Sequence, residues 1–320
     1  MYKINEENIR LVIKICSMYY YDGLSQDQIA KKIGFSRSQI CKILLAAKED
    51  GIVSFTIKNP FYNSSFIEER LIQLFNLENV VVVESATDSF DTVSRDIAEV
   101  CTNVFKTQIH DGEIIGVSSG LSINNIAENI GDIGKKNLKL VPLIGGSVTI
   151  SSWDSNATVQ TFSKRWNAYP YSLYAPGYVH SVDIKEHIIS EPNVAYILGM
   201  VKNCDTAIVG IGSMSQQSSA VRSHYISDDD YIELQNLKAV SGICNAFFDI
   251  NGDPVNFSGA NRMIGIDIDD FKKIPKRFGI AYGSHKASAI LSVLNGGWIN
   301  HLIIDEKTAE IVVNLKETLS

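Results

Sequence analysis

Residues 23–53 have the sequence GLSQDQIAKKIGFSRSQICKILLAAKEDGIV, which determines the fold of the N-terminal region. The segment Ser-Gln-Asp-Gln at 25–28 predicts a capping box that opens a helix through Ile33, and Gly34 then supplies a tight turn. The segment Ser-Arg-Ser-Gln at 36–39 predicts a second capping box, which opens a helix over 36–47. Two capped helices joined by a short turn that contains glycine are typical of a helix-turn-helix.

The residues on either side extend this unit. Residues 6–20 carry apolar side chains at spacings of three and four, which predicts an amphipathic helix. The side chains expected to face inward are Ile9, Val12, Ile13, Cys16 and Tyr20. After Gly51, the alternating run 52–58 (IVSFTIK) predicts the strand of a wing. We therefore expect a small winged helix-turn-helix domain over residues 1–58.

The predicted second helix carries side chains suited to double-stranded DNA. The start of that helix enters the major groove, where Arg pairs with guanine, Gln with adenine, and Ser with a base or a phosphate. The residues expected there are Ser36, Arg37, Ser38, Gln39 and Lys42. Lys31 and Lys32 are placed for phosphates, which position the protein without specifying sequence. A helical bundle without a DNA role is the alternative.

Charge supports this assignment. Residues 1–58 hold nine Lys and Arg against six Asp and Glu, a net charge of +3. The remaining residues carry a net charge of −10, which gives −7 for the whole chain. A basic module on an acidic body indicates that the first part is the one that meets a polyanion.

Composition limits the remaining classes. The 320 residues are 45% hydrophobic and 20% charged, enough for about two ordered domains of ~100–200 residues each. No secretion signal is evident and no apolar run approaches the roughly 20 residues of a membrane span. The five cysteines form no CxxC pair, and the six histidines show no metal-ligand spacing. We expect a cytoplasmic protein with no metal, no cofactor and no membrane partner.

The body begins after a break in the pattern. Residues 59–65 (NPFYNSS) interrupt the N-terminal unit, and we interpret 59–76 as a linker with a linker helix over 66–76. Residues 77–320 then alternate β-branched runs with helical patterns, which is typical of a doubly wound α/β domain with a parallel sheet. The predicted strands are NVVVVES (79–85), EIIGVSS (113–119), KLVPLIGG (139–146), TAIVGIGS (206–213), RFGIAYGS (277–284) and HLIIDE (301–306).

Four of these strands end in turns rich in glycine and hydroxyl groups. Ligands of open α/β sheets bind at the carboxyl edge, where glycine admits an anion to the backbone amides and to helix N-termini. The last turn adds the charge of Lys286. The turns therefore predict a site for a phosphorylated small molecule, with steric turns of an ordinary α/β fold as the alternative. The candidate site residues are Ser118, Ser119, Gly120, Gly145, Gly146, Ser147, Gly212, Ser213, Gly283, His285 and Lys286.

Residues 23–53 closely resemble the DNA-binding domain of the SorC family of sugar-responsive bacterial transcriptional regulators. The body resembles the effector domain of that family over its whole length, through GVSSG, LVPLIGGS, CDTAIVGIGSMSQQ, ICNAFFDINGDPV, RMIGIDIDDFKKIP and AYGSHKASAILSVLNGGWINHLIIDEKTAE. The resemblance implies a Rossmann-like fold related to sugar-phosphate isomerases and deaminases, a homodimer or homotetramer, and a phosphorylated sugar or polyol as effector. It also implies that the Gly145–Ser147 turn, Asn156 and Lys286 line the effector pocket.

Several positions depart from the family pattern. The usual tryptophan of the first turn is Ser119, the usual Gly-Asp pair before Phe-Phe-Asp is Ser241-Gly242, and the usual glutamate before His-Lys is Ser284. Ile144 stands where a relative carries a lysine that forms a Schiff base with its sugar, so covalent capture is not expected.

We therefore predict a regulator of a carbohydrate-utilisation operon whose operator affinity is controlled by the bound effector. The first alternative is an isomerase- or deaminase-like enzyme with a regulatory N-terminal module. That chemistry needs a positioned acid and base, and the turns offer no obvious pair of carboxylates. A DNA-architectural protein with an inert body is the second alternative, and it leaves the glycine-rich strand ends unexplained.

Overall fold

Contacts along the backbone divide the chain into two units, Met1–Pro60 and Phe61–Ser320. The structure is a computed structural model that describes residues 2, 4, 8–53, 62–85, 89–147, 154–215, 226–244 and 246–319. Across these residues, no helix combines the length and the apolar character required to cross a bilayer.

Three helices form the described part of the first unit: α1 (Ile9–Tyr20), α2 (Gln26–Ile33) and α3 (Arg37–Glu49). Both predicted capping boxes are present. Ser25 Oγ accepts from Gln28 N at 3.3 Å while Gln28 Oε1 accepts from Ser25 N at 2.9 Å, and Ser36 and Gln39 repeat the pattern at 3.2 and 2.8 Å. Gly34 adopts the left-handed conformation of a helix end, with φ of 82°. The predicted wing strand lies outside the described residues beyond Val53.

The phase of α1 differs from the prediction. Val12, Ile15 and Cys16 are buried, whereas Ile9, Ile13 and Tyr20 are 37%, 48% and 36% exposed. The expectation that Ile9, Ile13 and Tyr20 face inward is therefore wrong. Apolar residues lie on both sides of the buried stripe, so periodicity alone could not determine which side meets α2 and α3.

A seven-stranded sheet forms the centre of the second unit, and every neighbouring pair of its strands is parallel. The strands are β1 (Asn79–Val83), β2 (Ile114–Val117), β3 (Lys139–Pro142), β4 (Tyr169–Pro170), β5 (Thr206–Gly210), β9 (Lys276–Ala281) and β10 (His301–Asp305). Their order across the sheet is β1-β10-β9-β5-β2-β3-β4. The six predicted strands are all present.

Helices cover both faces of this sheet, and a small antiparallel sheet extends it. Its strands are β6 (Gly212–Ser213), β7 (Ser241–Ile243) and β8 (Ala246–Phe248). The helices are α4 (Tyr62–Phe75), α5 (Phe90–Gln108), α6 (Leu121–Asn129), α7 (Ser155–Trp166), α8 (Val182–Ser190), α9 (Pro192–Lys202), α10 (Asp228–Asn236), α11 (Ile268–Lys273), α12 (Ala287–Asn295) and α13 (Glu306–Leu319). Short 3-10 helices span Ala260–Arg262 and Ser284–Lys286.

Alternate residues of the central strands enter two different cores. Leu302 and Ile304 of β10 belong to the core on one face, and Ile303 between them belongs to the core on the other. Burial on both faces explains why these strands have continuous apolar sequences.

The helical part of the predicted linker belongs to the second unit. Leu71 of α4 is fully buried and, with Ile67, packs into the same core as Leu302. These two apolar positions lie four residues apart and share one helix face, so α4 covers the sheet and is not a free connector.

Candidate functional site

The strand order opens a crevice at the carboxyl edge of the sheet. The ends of β9, β5 and β2 lie side by side. The chain passes from β2 through α6 to β3 on one side, and from β9 through α12 to β10 on the other. Helices that leave neighbouring strands in opposite directions create the crevice in which open α/β sheets bind ligands.

Ser118 links the ends of β2 and β5 through hydrogen bonds. Its buried hydroxyl accepts from Gly210 N at 3.1 Å and donates to Ser119 O at 3.1 Å. The β2 and β5 ends are thereby held together, so Ser118 has a structural part in the crevice. Ser119, half-buried, follows it at the mouth of the turn.

The N-terminus of α6 opens into this crevice without a side-chain cap. Gly120 precedes α6 with φ of 123°, and no atom lies within 4 Å of the position that a Cβ would occupy. The amides of Leu121, Ser122 and Ile123 belong to the first helical turn, whose N–H groups have no intrahelical acceptor. The positive end of the helix dipole and these amides favour an anion.

Lys286 brings a positive charge to the same helix end. Its Nζ donates to Ser122 Oγ at 3.0 Å. Among the described residues, no carboxylate oxygen lies within 4.0 Å of this ammonium. Burial lowers the pKa of Lys286 to about 8. A half-buried cation with no carboxylate within 4.0 Å among the described residues, beside an uncapped helix N-terminus, makes this helix end a candidate anion site.

Tyr282 forms the wall behind Lys286. Its hydroxyl donates to Ser94 Oγ at 3.2 Å, and its ring centroid lies 5.1 Å from that of Phe90. Burial raises the pKa of Tyr282, which keeps it a hydrogen-bonding phenol. Ser94, Ser122 and Tyr282 were not among the predicted site residues. Ser122 had a usable signal, because it follows the Gly120 turn in the first turn of a helix.

The Gly283 turn is held by Asp305. Gly283 N donates to Asp305 Oδ1 at 2.9 Å, and Asp305 Oδ2 accepts from Thr308 N and Oγ1. The Gly283 amide is therefore occupied, and this glycine supplies a φ of 99° that a side chain would strain. His285 is exposed, and desolvation of its ring, followed by the Lys286 charge, lowers its pKa.

The Gly145–Ser147 turn does not present free amides. Gly145 N donates to Ile264 O at 2.9 Å, Gly146 N to Ala175 O at 2.8 Å, and Ser147 N to Asp154 Oδ2 at 2.8 Å. The predicted role of these amides in holding a phosphate is therefore not available in this geometry. The glycine at 145 is required by packing instead, because a Cβ there would lie 2.6 Å from the carbonyl carbon of Pro176.

Asn156 is also engaged within the chain. Its Oδ1 accepts from Leu173 N at 2.9 Å and its Nδ2 donates to Leu173 O at 3.2 Å. This reciprocal pair braces the start of α7 against the segment after β4. Only the second N–H of the amide and spare lone-pair capacity remain for a ligand, so the predicted effector contact is secondary to a structural one.

The predicted Gly212–Ser213 turn lies in the small antiparallel sheet, beside Ser241 and Gly242, which depart from the family pattern. Gly212 pairs with Gly242, and Ser213 with Ser241, so the predicted anion-binding turn is a short strand. Ser241 Oγ lies 2.7 Å from Ser292 Oγ in a buried pair. A Cβ at Gly242 would lie 3.1 Å from the Phe247 ring, so a side chain at this position would press against that ring.

Ile144 and Ser284 are two further positions that depart from the family pattern. Ile144 is buried at 3% exposure, and Ser284 is exposed in the 3-10 helix. Within the described ranges, no three His, Cys, Asp or Glu side chains are arranged so that they could hold a metal ion.

The predicted DNA-contacting side chains of the first unit are accessible to solvent. All seven are exposed: Lys31, Lys32, Ser36, Arg37, Ser38, Gln39 and Lys42. The Gln39 side chain differs from the prediction in one respect. Its Oε1 accepts from Ser36 N at 2.8 Å and from Ser36 Oγ at 3.0 Å, so a bidentate pairing with adenine requires it to leave the cap. Within the described part of the first unit, Arg37 makes a long, exposed ion pair with Asp27 at 3.8 Å, which a base can displace.

Comparison with known proteins agrees with this architecture. The family model described as "Putative sugar-binding domain" matches residues 59–314. The chain is 28% identical over 312 residues to the deoxyribonucleoside regulator of Bacillus subtilis (strain 168), covering 97% of this chain and 99% of that protein. It is 30% identical over 306 residues to the transcriptional regulator LsrR of Escherichia coli (strain K12), covering 94% of each.

A solved structure extends the match to the whole chain. The crystal structure of the full-length sorbitol operon regulator SorC from Klebsiella pneumoniae aligns with a TM-score of 0.74 at 27% identity, covering 97% of this chain and 100% of that one. These relatives are regulators of transcription, which supports the regulator prediction over the enzyme alternative. On the family match over 59–314 and the likeness along the full length, this chain belongs to the sugar-binding-domain family of SorC-type transcriptional regulators.

Proposed function

We propose that this chain is a cytoplasmic transcriptional regulator of a carbohydrate-utilisation operon. A phosphorylated sugar or polyol, bound at the carboxyl edge of the large sheet, controls its affinity for double-stranded operator DNA. The observation that carries the proposal is the Lys286 ammonium, which lies half-buried beside the uncapped start of α6, with no carboxylate within 4.0 Å among the described residues.

The chemistry of this site favours a phosphate group. Partial desolvation destabilises the Lys286 ammonium, and a dianion at the same place supplies the missing counter-charge. Its oxygens accept charge-assisted hydrogen bonds from Lys286 and from the first-turn amides of α6. A neutral sugar hydroxyl satisfies the amides but leaves the ammonium without an opposite charge. The phosphate is therefore the part of the ligand that we expect Lys286 to recognise.

The hydroxyl-bearing part of the ligand has fewer partners than the family pattern suggests. Gly242 and Ser284 lack carboxylates, and Asn156 is held by Leu173. Ser119, half-buried at the mouth of the crevice, can both donate and accept. The relatives named for deoxyribonucleosides and for sorbitol support a sugar or polyol in this position.

A thermal-shift titration tests the effector. Purified full-length protein is screened against sugar phosphates, each paired with its unphosphorylated parent. A ligand at 100 times its Kd should stabilise the second unit by about 2.7 kcal/mol, and the parent sugar should not. Lys286→Met should lose the response, whereas Lys106→Met, which removes an exposed lysine of α5, should retain it. An equal response to phosphorylated and parent sugars would show that the anion site is misassigned.

Operator binding completes the test. Lys286→Met should bind operator DNA like wild type without effector and should fail to respond when effector is added, because a ligand shifts an equilibrium only through different affinity for the two states. Conversion of the phosphorylated ligand to a product during incubation would instead support the enzyme alternative.

The docking of α3 on DNA has its own test. Arg37→Ala should weaken specific binding by about 1–3 kcal/mol, the value of one good base pairing, without unfolding the protein. Arg10→Ala removes an exposed arginine of α1 and serves as the control. Unchanged operator affinity of Arg37→Ala at fixed salt would contradict this docking.

Self-association belongs to the same proposal. A single helix-turn-helix reads one half-site, and such readers pair half-sites through dimer symmetry. We propose a homodimer or homotetramer, to which α4, with Phe66 61% exposed, and the rest of the second unit contribute. Sedimentation that shows only monomer at micromolar concentration with operator DNA present would contradict it.

A further inference from the structure

The outward face of α3 carries an apolar side chain that the DNA assignment did not include. The buried side of this helix is formed by Ile40, Ile43, Leu44, Ala46 and Ala47. Leu45 lies on the opposite side and is 55% exposed. Residues three and seven positions apart share a helix face, which places Leu45 in line with Lys42 and Ser38.

Leu45 therefore lies on the face that the DNA-binding proposal directs into the major groove. Seven residues of helix separate it from Ser38, a rise of about 10 Å at 1.5 Å per residue. That distance corresponds to roughly three base-pair steps at 3.4 Å each. An α3 helix that lies along the groove, with its N-terminal residues on the base edges, thus holds Leu45 about three base pairs from the bases met by Ser38.

The groove offers one apolar group to such a side chain. The C5-methyl of thymine projects into the major groove, and apolar side chains distinguish thymine by contact with it. An isobutyl group has no hydrogen-bonding capacity for the other base edges. It is flanked on its own face by Lys42, and one turn further by the exposed Lys48, both suited to phosphates.

The geometry points to Leu45 as a sequence-reading residue: its side chain contacts the C5-methyl group of a thymine in the operator. This inference rests on the proposed docking of α3 in the major groove. It adds a thymine-specific contact to the polar contacts predicted for the start of the helix.

Uracil substitution tests the contact directly, because uracil lacks the methyl group and keeps the hydrogen-bonding edge of thymine. The full-length protein first selects a duplex from random-sequence DNA, and each thymine of that duplex is then replaced singly by uracil. We expect one replacement to weaken wild-type binding about three- to fivefold, the value of a buried methyl-sized contact.

Two variants at position 45 and one matched control make the result specific. Leu45→Ala should weaken binding to the thymine duplex by a similar factor and should not respond to that uracil. Leu45→Met keeps an apolar side chain of similar reach and should remain sensitive. Ile232→Ala removes an equally exposed aliphatic group, 55% exposed on α10, and should behave like wild type. Alanine favours the helix, so folding should be preserved.

The outcomes separate this contact from the docking itself. If no single uracil affects wild type more than Leu45→Ala, while Arg37→Ala still weakens binding, the thymine contact is refuted and the docking stands. If Arg37→Ala also binds normally, the docking is wrong. If Leu45→Ala changes the sedimentation coefficient without DNA, Leu45 belongs to a contact between copies of the chain and the inference falls.

Discussion

Replacing Lys286 with methionine should stabilise the effector-free protein near neutral pH. Burial lowers the pKa of Lys286 from 10.5 to about 8. At 1.36 kcal/mol for each pKa unit, holding the ammonium charged in the folded state costs about 3 kcal/mol. Methionine removes this cost but also the hydrogen bond to Ser122, which contributes about 1 kcal/mol. The net expectation is a gain of about 2 kcal/mol in the free energy of unfolding at pH 7.

The gain should depend on pH in a defined direction. Below about pH 8 the lysine is protonated in both the folded and the unfolded state, so wild type bears the full desolvation cost. As the pH rises from 8 to 10.5, the folded state loses this proton before the unfolded state does, and the cost declines. The advantage of Lys286→Met should therefore shrink across this interval and disappear at its upper end.

Urea unfolding of the full-length chain measures this effect. All three tryptophans, Trp153, Trp166 and Trp298, belong to the second unit, so their fluorescence reports its unfolding and not that of the helix-turn-helix. Lys106→Met controls for loss of an exposed charge. A Lys286→Met protein that is less stable than wild type at pH 7, or whose difference from wild type is the same at pH 7 and pH 10, would refute the uncompensated desolvation of the Lys286 ammonium.

Three further changes probe the fold around the sites. Burial raises the pKa of Glu113, but hydrogen bonds, first from Lys276, outweigh burial and lower that pKa. Glu113→Gln should therefore lower the free energy of unfolding in urea by about 3 kcal/mol at pH 7. The advantage of wild type should fade as the pH drops below 4.5 and passes through the lowered pKa. Gly145→Ala should lower the stability of the second unit by about 1–3 kcal/mol, because its Cβ would lie 2.6 Å from the Pro176 carbonyl carbon; an unchanged melting temperature would show that the loop yields. Ser36→Ala should lower the stability of the first unit by about 1 kcal/mol, because the helix cap is lost. Far-UV circular dichroism measures this change, since the first unit has no tryptophan. An unaltered helix signal on heating would contradict it.

The anion site shows where sequence patterns were sufficient and where they failed. Lys286 and the Gly120 turn were both predicted, because a lysine and a helix start after glycine are local features. Their meeting through Ser122 was not predicted, since it joins residues 164 positions apart. The Gly145–Ser147 turn resembles the Gly120 turn in composition, yet its amides donate to Ile264, Ala175 and Asp154. Those acceptors come from elsewhere in the chain, and composition does not reveal them.

The N-terminal unit shows the same division on a smaller scale. The capping boxes at Ser25 and Ser36 follow from four-residue motifs and are present as predicted. The capping box also engages Gln39, which competes with the base contact that the same residue type suggests. The burial of Ile15 instead of Ile13 on α1 depends on where α2 and α3 pack, and a helix with apolar residues on both sides does not encode that choice.

The sequence by itself determined the local structure of this protein: which segments are helices and strands, where glycines turn the chain, and which residues can bear charge. These features depend on interactions within a few residues. Only the tertiary structure decided which turn amides are already bonded, which polar side chains are already bonded, and that Lys286 lies half-buried beside α6. Those properties depend on the groups that other parts of the chain bring within hydrogen-bonding distance, and burial in turn sets the cost of each charge.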